Sequence, residues 1–562
     1  MRALRLATLG LGLSLSWAAA WAEAPVLAER GMVVSREATA SGVGVEVLRQ
    51  GGNAVDAAVA VGFALAVTLP MAGNLGGGGF MLVHLGESGE TIAIDYREAA
   101  PAEARREMFL DAAGALDKAK ARFSHHAVGV PGSVAGLALA LERYGSWSLA
   151  RVLAPAIGLA EDGIVVQDPL AEALAGARER LARWPASRAV FLRADGSPFE
   201  ACERLRQPDL AWSLRQIAGG GPGAFYRGEI AARLAAEMAA HGGPMTLADL
   251  ERYRAVIREP VRGWYRGFEV VSMPPPSSGG VHLIQMLNVL ERFPLGALGA
   301  NSTAASHLMV EAMKPAYADR SRHLGDPDFW PVPVAWLVSK RYAARIAAAI
   351  DPARARPAAE ILPGAPARGE SGETTHFAVM DRHGNVVSNT TTLNFGFGTG
   401  IVAAGTGILL NNEMDDFSAK PGVPNAYGLV GEEANAIAGG KRPLSSMTPT
   451  IVFKDGRPWL ATGSRGGSRI ITSTLQVIVN AIDHGMDLGT ATVAPRLHHQ
   501  WLPDEVRVEP GFPEETVQRL KELGHQVTGT KDIGTTQSIM SLEAGFHGVS
   551  DPRRAGGLAL GY

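Results

Sequence analysis

The amino-acid sequence predicts a layered α/β architecture, in which strands are flanked by helices in both halves of the chain. Residues 38–69 predict two helices around a Gly-Gly-Asn turn, and the second is apolar on nearly every face, which is typical of a buried helix. Residues 267–293 predict a strand, a Pro/Gly turn and a helix. Residues 374–394 predict a hairpin that turns at Asp381 to Asn385.

The remaining elements fall in order between these segments. "GNLGGGGFMLVHL" and "ETIAIDYREAAP" each supply a strand, and residues 133–260 are mostly helical by their apolar spacing. A second hairpin is predicted around Asp455-Gly456 and is followed by the helix "SRIITSTLQVIVNAIDHG". Residues 352–373, rich in Ala, Pro, Arg and Gly, are the most linker-like stretch, and they end at Thr374.

The composition places the chain among soluble globular proteins, with 46% hydrophobic and 19% charged residues in a length of 562. The formal net charge of -3 and the lack of a Lys/Arg block give no case for nucleic-acid binding. The single cysteine excludes an internal disulfide, so a large core must provide the stability. Cys202 has no Gly elbow or nearby His in the sequence, which favours a structural thiol over a nucleophile.

Residues 1–22 predict a secretory signal peptide, with two arginines, an apolar run and small residues at Ala20 and Ala22. The alternative is an uncleaved anchor, although the apolar run is near the short limit for spanning a bilayer. We expect cleavage after Ala22, export to the periplasm or beyond the cell, and no stable membrane anchor.

The junction between the linker-like stretch and the hairpin carries the first candidate site. A threonine hydroxyl is a poor nucleophile without a base, and one solution is a chain N-terminus whose own α-amine acts as the base. That amine has an ordinary pKa of about 7.7–8.0, close to neutral pH. A cut between Glu373 and Thr374 would create such an N-terminus, whereas the alternative is a strand that simply starts with two threonines.

The second strand of the same hairpin is unusually polar. Alternation along the strand puts Thr390, Thr392 and Asn394 on one face. This pattern is compatible with a face that lies across from Thr374. It is equally compatible with a solvated face, because threonine is a common strand residue.

The stretch "NNEMDDF" brings Glu413, Asp415 and Asp416 close together in sequence. Such a group is compatible with a metal site, with binding of an ammonium group, or with exposure to solvent. His498 and His499 are adjacent and point apart, so they do not complete a convincing set of metal ligands.

Three further stretches carry groups that suit anionic ligands. Gly466 and Gly467 come just before a predicted helix, where free N–H groups can hold an anion or an oxyanion. The sequence there lacks the Gly-Lys-[Ser/Thr] ending of a Walker A loop. Ser445 and Ser446 supply paired hydroxyls, and Arg97 can bind a carboxylate through two parallel hydrogen bonds.

Taken together, these stretches resemble the γ-glutamyltranspeptidase family of N-terminal-nucleophile hydrolases, from about residue 25 to the C-terminus. The resemblance implies a four-layer αββα sandwich. It also implies a precursor that cuts itself before Thr374, which gives a large subunit of residues 23–373 and a small catalytic subunit of residues 374–562 in one folded unit. The matching stretches are "GGNAVDAAVA", "GNLGGGGF", "DYREAAP", "MPPPSSGG", "YADRS", "LGDPDF", "TTHFAV", "GILLNNEMDDFS", "KRPLSSMTPT" and "GSRGGSRII".

The resemblance also implies a role for each matched residue. Thr374 matches the nucleophile, and Thr392 matches a second threonine that hydrogen-bonds to the nucleophile and activates it. Gly466 and Gly467 match the oxyanion-hole pair. The other matches form a pocket for the free α-amino-acid end of a γ-glutamyl group, with carboxylate binders Arg97, Ser445 and Ser446, and ammonium binders Asn394, Glu413 and Asp416.

Three more positions follow from the same resemblance. "AKPGVPNAYGLVG" resembles a lid loop over the pocket, with Tyr427 at the place of its gating aromatic. Arg465 departs from the family pattern, in which a Pro often precedes the Gly pair; we expect the oxyanion hole to be kept, and the added cation can alter acceptor binding. The family assigns no catalytic role to the position of His376, which we interpret as structural.

The implied activity is that of a γ-glutamyltransferase and glutathione hydrolase that needs no metal or organic cofactor. Its partners would be glutathione and other γ-glutamyl compounds, with water, an amino acid or a dipeptide as acceptor. One alternative is an acylase on the same fold that acts on cephalosporin side chains or poly-γ-glutamate. Another is a non-catalytic exported binding protein for γ-glutamyl peptides.

Overall fold

The computed structural model describes residues 24–361, 374–420, 425 and 429–562. The proposed signal peptide, Glu373 and Tyr427 lie outside the described residues. Across the described ranges, every helix is too short or too polar to span a bilayer. The strands, in chain order, are β1 Val26–Ala28, β2 Gly31–Ser35, β3 Gly78–His84, β4 Thr91–Tyr96, β5 Ile164–Val165, β6 Arg204–Leu205, β7 Val256–Arg258, β8 Val261–Tyr265, β9 Phe268–Ser272, β10 Thr374–Asp381, β11 Val386–Thr392, β12 Val402–Ala403, β13 Ile408–Leu409, β14 Thr450–Lys454, β15 Arg457–Thr462, β16 Ser464–Arg465, β17 Leu497–His498, β18 Val506–Val508, β19 Val527–Gly529, β20 Thr535–Leu542, β21 Gly545–Ser550 and β22 Leu558–Gly561.

Several helices begin at a side chain that caps them, and others begin with a proline in the first turn. Asn53 caps α2 in a capping box with Asp56, in agreement with the helix start predicted there. The α-helices are α1 Ala38–Arg49, α2 Ala54–Thr68, α3 Lys118–Phe123, α4 Ser133–Tyr144, α5 Leu149–Asp162, α6 Asp168–Ala182, α7 Pro185–Phe191, α8 Pro208–Gly220, α9 Pro222–Tyr226, α10 Glu229–Ala240, α11 Leu247–Arg252, α12 Gly279–Leu290, α13 Leu295–Leu298, α14 Thr303–His323, α15 Val334–Leu337, α16 Lys340–Ala348, α17 Arg469–Ile482, α18 Leu488–Val493 and α19 Glu514–Glu522.

Two large antiparallel sheets form the centre of the molecule. One sheet has seven strands in the order β22-β2-β10-β11-β3-β4-β7. The other has eight, in the order β1-β21-β20-β15-β14-β9-β8 with β16 paired to β20. Both predicted hairpins are present, because β10 pairs with β11 and β14 pairs with β15.

The two sheets pack face to face, and helices cover both outer faces. Side chains from both sheets, such as Phe80, Ala378 and Ile451, form one apolar layer between them. A second core joins the seven-stranded sheet to helices that include α2, which is buried along its whole length as its all-round apolar pattern predicts. A third core joins the eight-stranded sheet to α12, α14 and α17. The architecture is therefore the predicted αββα sandwich.

Each of the two sheets contains strands from before and from after residue 374. In the seven-stranded sheet, β10 lies between β2 and β11, and β11 pairs with β3. In the eight-stranded sheet, β9 pairs with β14, and β1 pairs with β21. Neither segment could complete a sheet alone, so the two segments form one folded unit.

Candidate active site

Thr374 is the first residue of β10, a central strand of the seven-stranded sheet. The antiparallel register places it directly opposite Thr392, the last residue of β11. The two hydroxyl oxygens are 3.3 Å apart, and each side chain is almost completely buried. The predicted pairing of a nucleophile with a second threonine is therefore geometrically possible without any rearrangement of the sheet.

A cleft opens at this point. Every sequence-predicted site residue among the described residues lines it, with the exception of Gly466. Arg320 and Ser468 also line the cleft. The lining residues are Arg97, Arg320, Thr374, Thr392, Asn394, Glu413, Asp416, Leu429, Ser445, Ser446, Met447, Gly467, Ser468 and Ile470.

The end of β11 is held in place by a turn and by a neighbouring loop. The backbone N–H of Asn394 donates to Thr392 Oγ1 at 2.8 Å, and Asn394 has a φ of 73°. Asn394 therefore reaches the cleft through a left-handed turn beyond the strand, and not through strand alternation as expected. Asn74 donates its side-chain N–H to the Thr392 carbonyl at 2.8 Å. A Cβ on Gly77 would lie 2.1 Å from that same carbonyl oxygen, which explains why the "GNLGGGGF" stretch requires glycine there.

Arg97 is surrounded by carboxylates at the opposite side of the cleft. Its Nη2 donates to Asp416 Oδ2 at 2.5 Å, and its Nη1 donates to Glu413. Glu98 lies 3.6 Å from the same guanidinium, whose Nε donates to the Pro443 carbonyl. The residue expected to bind a carboxylate is thus paired with the two acids expected to bind an ammonium group.

Burial shifts the pKa values in this cluster. Desolvation alone would lower the pKa of Arg97, but the carboxylates of Glu413, Asp416 and Glu98 raise it above its ordinary value. Burial raises the pKa of Glu98 to about 7 and that of Glu413 well above its ordinary range, although Arg97 opposes both shifts. One guanidinium is shared by three carboxylates, so Glu98 and Glu413 hold a proton more tightly than ordinary carboxyl groups do.

Ser445 and Ser446 border the cleft beside a second buried arginine. Ser278 donates its hydroxyl and its backbone N–H to the Ser445 carbonyl, both at 2.8 Å. Arg320 donates to Ser278 Oγ at 2.9 Å and to Ser446 Oγ at 3.2 Å. The stretch "MPPPSSGG" contains Ser278 and precedes residue 374 in the chain, whereas Ser445 and Ser446 follow it. The earlier segment therefore positions the paired serines of the later one.

The Gly466-Gly467 pair lies between β16 and α17, and both residues have positive φ, 123° and 58°. Their carbonyls accept hydrogen bonds from Arg469 and Ile470 at the start of the helix. Neither backbone N–H donates to another residue in the described part of the chain. Gly467 lines the cleft, so its N–H is available for an oxyanion beside Thr374.

Four other residues singled out by the sequence lie apart from the cleft. His376 is fully buried, and its Nδ1 shares a hydrogen bond of 2.8 Å with Thr390 Oγ1. Burial lowers its pKa to about 3. Arg465 donates to Thr535 Oγ1 at 3.0 Å and is not among the residues that line the cleft. Asp415 pairs with Arg122, and Cys202 is exposed.

Among the residues that the structure describes, two groups of side chains have donor atoms close enough to hold a metal ion, and neither group lines the cleft. They are His125, Glu237 and His241, and His307, Glu311 and His525. The acids of "NNEMDDF" do not form such a group within the described ranges, because Glu413 and Asp416 pair with Arg97.

Sequence reasoning missed two residues that shape the site. Arg320 stands within "YADRS" and Asn74 within "GNLGGGGF", two of the stretches that match the family. A polar residue in a stretch that otherwise packs closely was the available signal in both cases.

Comparison with known proteins agrees with this geometry. The family model described as gamma-glutamyltranspeptidase matches residues 40–561. The chain is 55% identical to the glutathione hydrolase proenzyme of Escherichia coli (strain K12), over 96% of this chain and 93% of the relative. It is 47% identical to the glutathione hydrolase proenzyme of Pseudomonas sp. (strain A14), over 96% of each.

A solved structure gives the same result for the fold. The cephalosporin acylase of Bacillus halodurans superposes with a TM-score of 0.84 at 30% identity, over 96% of this chain and 97% of that one. The relatives therefore include both a hydrolase of glutathione and an acylase, on one architecture. The chain belongs to the γ-glutamyltranspeptidase family.

Proposed function

We propose that this chain is a γ-glutamyltransferase and glutathione hydrolase with Thr374 as its nucleophile. The observation that carries the proposal is the 3.3 Å contact between Thr374 and Thr392 in a cleft that also holds buried guanidinium and carboxylate groups. A hydroxyl nucleophile beside one cationic and one anionic binding group suits a substrate that carries a free α-amino acid on the acyl side of its scissile amide.

The first reaction is maturation of the precursor. The Thr374 hydroxyl attacks the carbonyl carbon of Glu373, the C–N bond breaks, and the acyl group passes from nitrogen to oxygen. Water then hydrolyses that ester, which leaves a carboxylate on Glu373 and a free α-amine on Thr374. The interleaving of strands across both sheets supports retention of the two pieces, residues 23–373 and 374–562, in one unit.

Turnover uses the same hydroxyl and the new amine. Thr374 Oγ attacks the γ-amide carbon of the donor, while the amine takes the hydroxyl proton and passes it to the leaving nitrogen. The N–H groups of Gly466 and Gly467 stabilise the tetrahedral oxyanion. The released amine is Cys-Gly when the donor is glutathione, and water or an amino-acid or dipeptide acceptor then takes the γ-glutamyl group from the ester.

Thr392 and Asn394 position the nucleophile and the donor. The Thr392 hydroxyl already accepts from the Asn394 amide, so its own proton is directed toward Thr374 or another acceptor. This arrangement stabilises the oxygen of Thr374 as it loses its proton. The side chain of Asn394 donates to the Asn412 carbonyl and so presents its amide oxygen to an ammonium group in the cleft.

The charge distribution supports recognition of a zwitterion. The donor's α-ammonium replaces Arg97 as the partner of Asp416 and Glu413, and its α-carboxylate pairs with guanidinium and serine hydroxyl groups. The exchange keeps every buried charge paired, which limits the desolvation cost of binding.

Maturation is tested with purified protein on a denaturing gel and by sequencing the new N-terminus. Wild type should give two bands, with the smaller one starting at Thr374, and Thr374→Ala should give one. Thr375→Val is the matched control: Thr375 is buried on the same strand with no hydrogen bond to its hydroxyl, so its variant should still give two bands. An intact wild-type chain with full activity would contradict the mechanism.

Activity is tested by product analysis with glutathione, with and without Gly-Gly. Free glutamate with Cys-Gly reports hydrolysis, and γ-glutamyl-Gly-Gly reports transfer. A protein that matures and binds glutathione but releases neither product would instead be the non-catalytic binding protein.

A second candidate is an acylase for cephalosporin side chains, favoured by the structural match to such an enzyme. Comparison of γ-glutamyl-p-nitroanilide with glutaryl-p-nitroanilide separates the two, because only the first carries the α-ammonium. We expect a clear preference for γ-glutamyl. Export after removal of residues 1–22 completes the proposal, and cell fractionation with mass analysis of the mature N-terminus tests it.

A further inference from the structure

Arg320 is a buried cation in the cleft whose role the proposed mechanism leaves open. It lies near the C-terminal end of α14, is 5% exposed, and lines the cleft with Thr374. Its Nε and Nη2 donate to the hydroxyls of Ser278 and Ser446. A guanidinium has five N–H donors. Within the described ranges, Nη1 of Arg320 has no acceptor and no carboxylate forms an ion pair with the side chain.

The two arginines of the cleft differ in their electrostatic surroundings. Arg97 is paired with Glu413 and Asp416, and their carboxylates raise its pKa. Burial lowers the pKa of Arg320 to about 10, and Asp416 offsets this only partly. Arg320 therefore still carries its charge at neutral pH. Its buried guanidinium contacts two neutral hydroxyl groups in place of water. A buried charge without a counter-charge is unfavourable, so this site gains most from an anionic ligand.

The chemistry of that anion follows from the groups around it. A planar guanidinium beside a serine hydroxyl suits a carboxylate, which accepts from both in one plane. Ser446 Oγ lies 3.2 Å from Nη2, so a carboxylate beside this pair can accept from both Arg320 and Ser446. The carboxylates around Arg97 repel an anion, which directs it toward the Arg320 side.

We propose that Arg320 is a specificity-determining residue that binds, together with Ser446, the α-carboxylate of the γ-glutamyl donor. The inference rests on the proposed function, because it names a further binding residue for the donor of that same site. The donor carboxylate then lies between Arg97, whose charge is matched by Glu413 and Asp416, and Arg320, which has no such ion pair within the described ranges. Most of the new attraction comes from Arg320.

The experiment compares three p-nitroanilides that differ only at the α-carbon. The γ-glutamyl compound carries both the carboxylate and the ammonium, the glutaryl compound lacks the ammonium, and the 4-aminobutyryl compound lacks the carboxylate. For Arg320→Gln, we expect kcat/KM to fall by about 10- to 100-fold on the first two, as loss of a hydrogen bond to a charged group predicts. On the 4-aminobutyryl compound we expect a change of less than about 3-fold. Arg322→Gln is the matched control, since Arg322 is exposed on the same helix and should change none of the three rates.

An equal loss on all three substrates would show that Arg320 only supports the fold, and no loss on any would overturn the inference as well. Maturation is checked on a gel before each measurement. If Arg320→Gln does not mature, Arg320→Lys keeps the charge but loses the planar fork, and the same selective loss on carboxylate-bearing substrates is expected of it. A wild type that matures but hydrolyses none of the three compounds contradicts the proposed function itself, which separates that failure from a failure of the Arg320 inference.

Discussion

Replacement of Asp416 by Asn should change which donors the enzyme prefers. The Asp416 carboxylate accepts from Arg97 at 2.5 Å and lines the cleft, with a side chain only 12% exposed. Asn keeps the shape and removes the charge that would pair with the donor's ammonium group. Hydrogen bonds to charged groups contribute about 1.5–3 kcal/mol, which corresponds to a factor of about 10 to 150. We expect kcat/KM for γ-glutamyl-p-nitroanilide to fall by such a factor.

The same substitution should have little effect on glutaryl-p-nitroanilide, which has no ammonium group. The ratio of the two kcat/KM values is the useful measurement, because any general loosening of the cleft cancels from it. Arg97 keeps Glu413 as a partner, so the fold should survive and maturation should proceed.

Asp415→Asn is the matched control for that experiment. Asp415 is the neighbouring residue and is more deeply buried, but it pairs with Arg122 at 3.2 Å and does not line the cleft. Its variant should lose some stability without any change in the substrate ratio. Equal losses on both substrates for Asp416→Asn, or the same ratio change for Asp415→Asn, would refute the assignment of the ammonium site.

Three other predictions concern the strand end and the buried acids. Thr392→Val keeps the shape of the side chain but leaves the backbone N–H of Asn394 without its acceptor. We therefore expect self-cleavage and turnover to slow by about 10-fold or more. Unchanged rates would contradict the role of Thr392. Gly77→Ala should lower the free energy of unfolding by about 1–3 kcal/mol, because its Cβ meets a backbone oxygen at 2.1 Å, whereas Gly42→Ala, with open space around it, should not. Glu98→Gln should alter the pH dependence of stability. Because the pKa of Glu98 is raised from 4.5 to about 7, the folded state binds the proton more tightly, and wild type should lose about 1–3 kcal/mol as the pH rises from 4.5 through 7. Equilibrium unfolding at pH 5 and pH 8 tests this, and an equal loss in the variant would contradict it.

The fold was largely predictable because each of its layers leaves a periodic signal. The all-round apolar pattern of residues 54–68 predicted a buried helix, and α2 is buried along its whole length. The alternation after Thr374 predicted the hairpin, and β10 and β11 turn at the expected residues. The order of strands within the sheets has no such signal, because pairings such as β9 with β14 join residues far apart in the chain.

The site was predictable as a set of residues but not as a set of contacts. The motif matches predicted that Arg97, Glu413 and Asp416 line one pocket. They predicted that Arg97 binds a carboxylate and that the two acids bind an ammonium group. They did not indicate that these groups pair with one another, since that depends on distances set by the fold. Asn394 was placed on the correct side of the cleft for a wrong reason, because a left-handed turn and not strand alternation brings it there.

The internal pairing also bears on how the site is assembled. Arg97 belongs to the segment before residue 374, and Glu413 and Asp416 belong to the segment after it. A buried ion pair that loses one partner leaves a costly unpaired charge, so these contacts hold the two segments in register before any donor arrives. A zwitterionic donor can then replace both partners, because its ammonium group pairs with the acids and its carboxylate pairs with the guanidinium. A donor with only one of the two charges leaves a buried group without an opposite charge. The selectivity expected of the cleft is therefore a consequence of the same contacts that complete the fold.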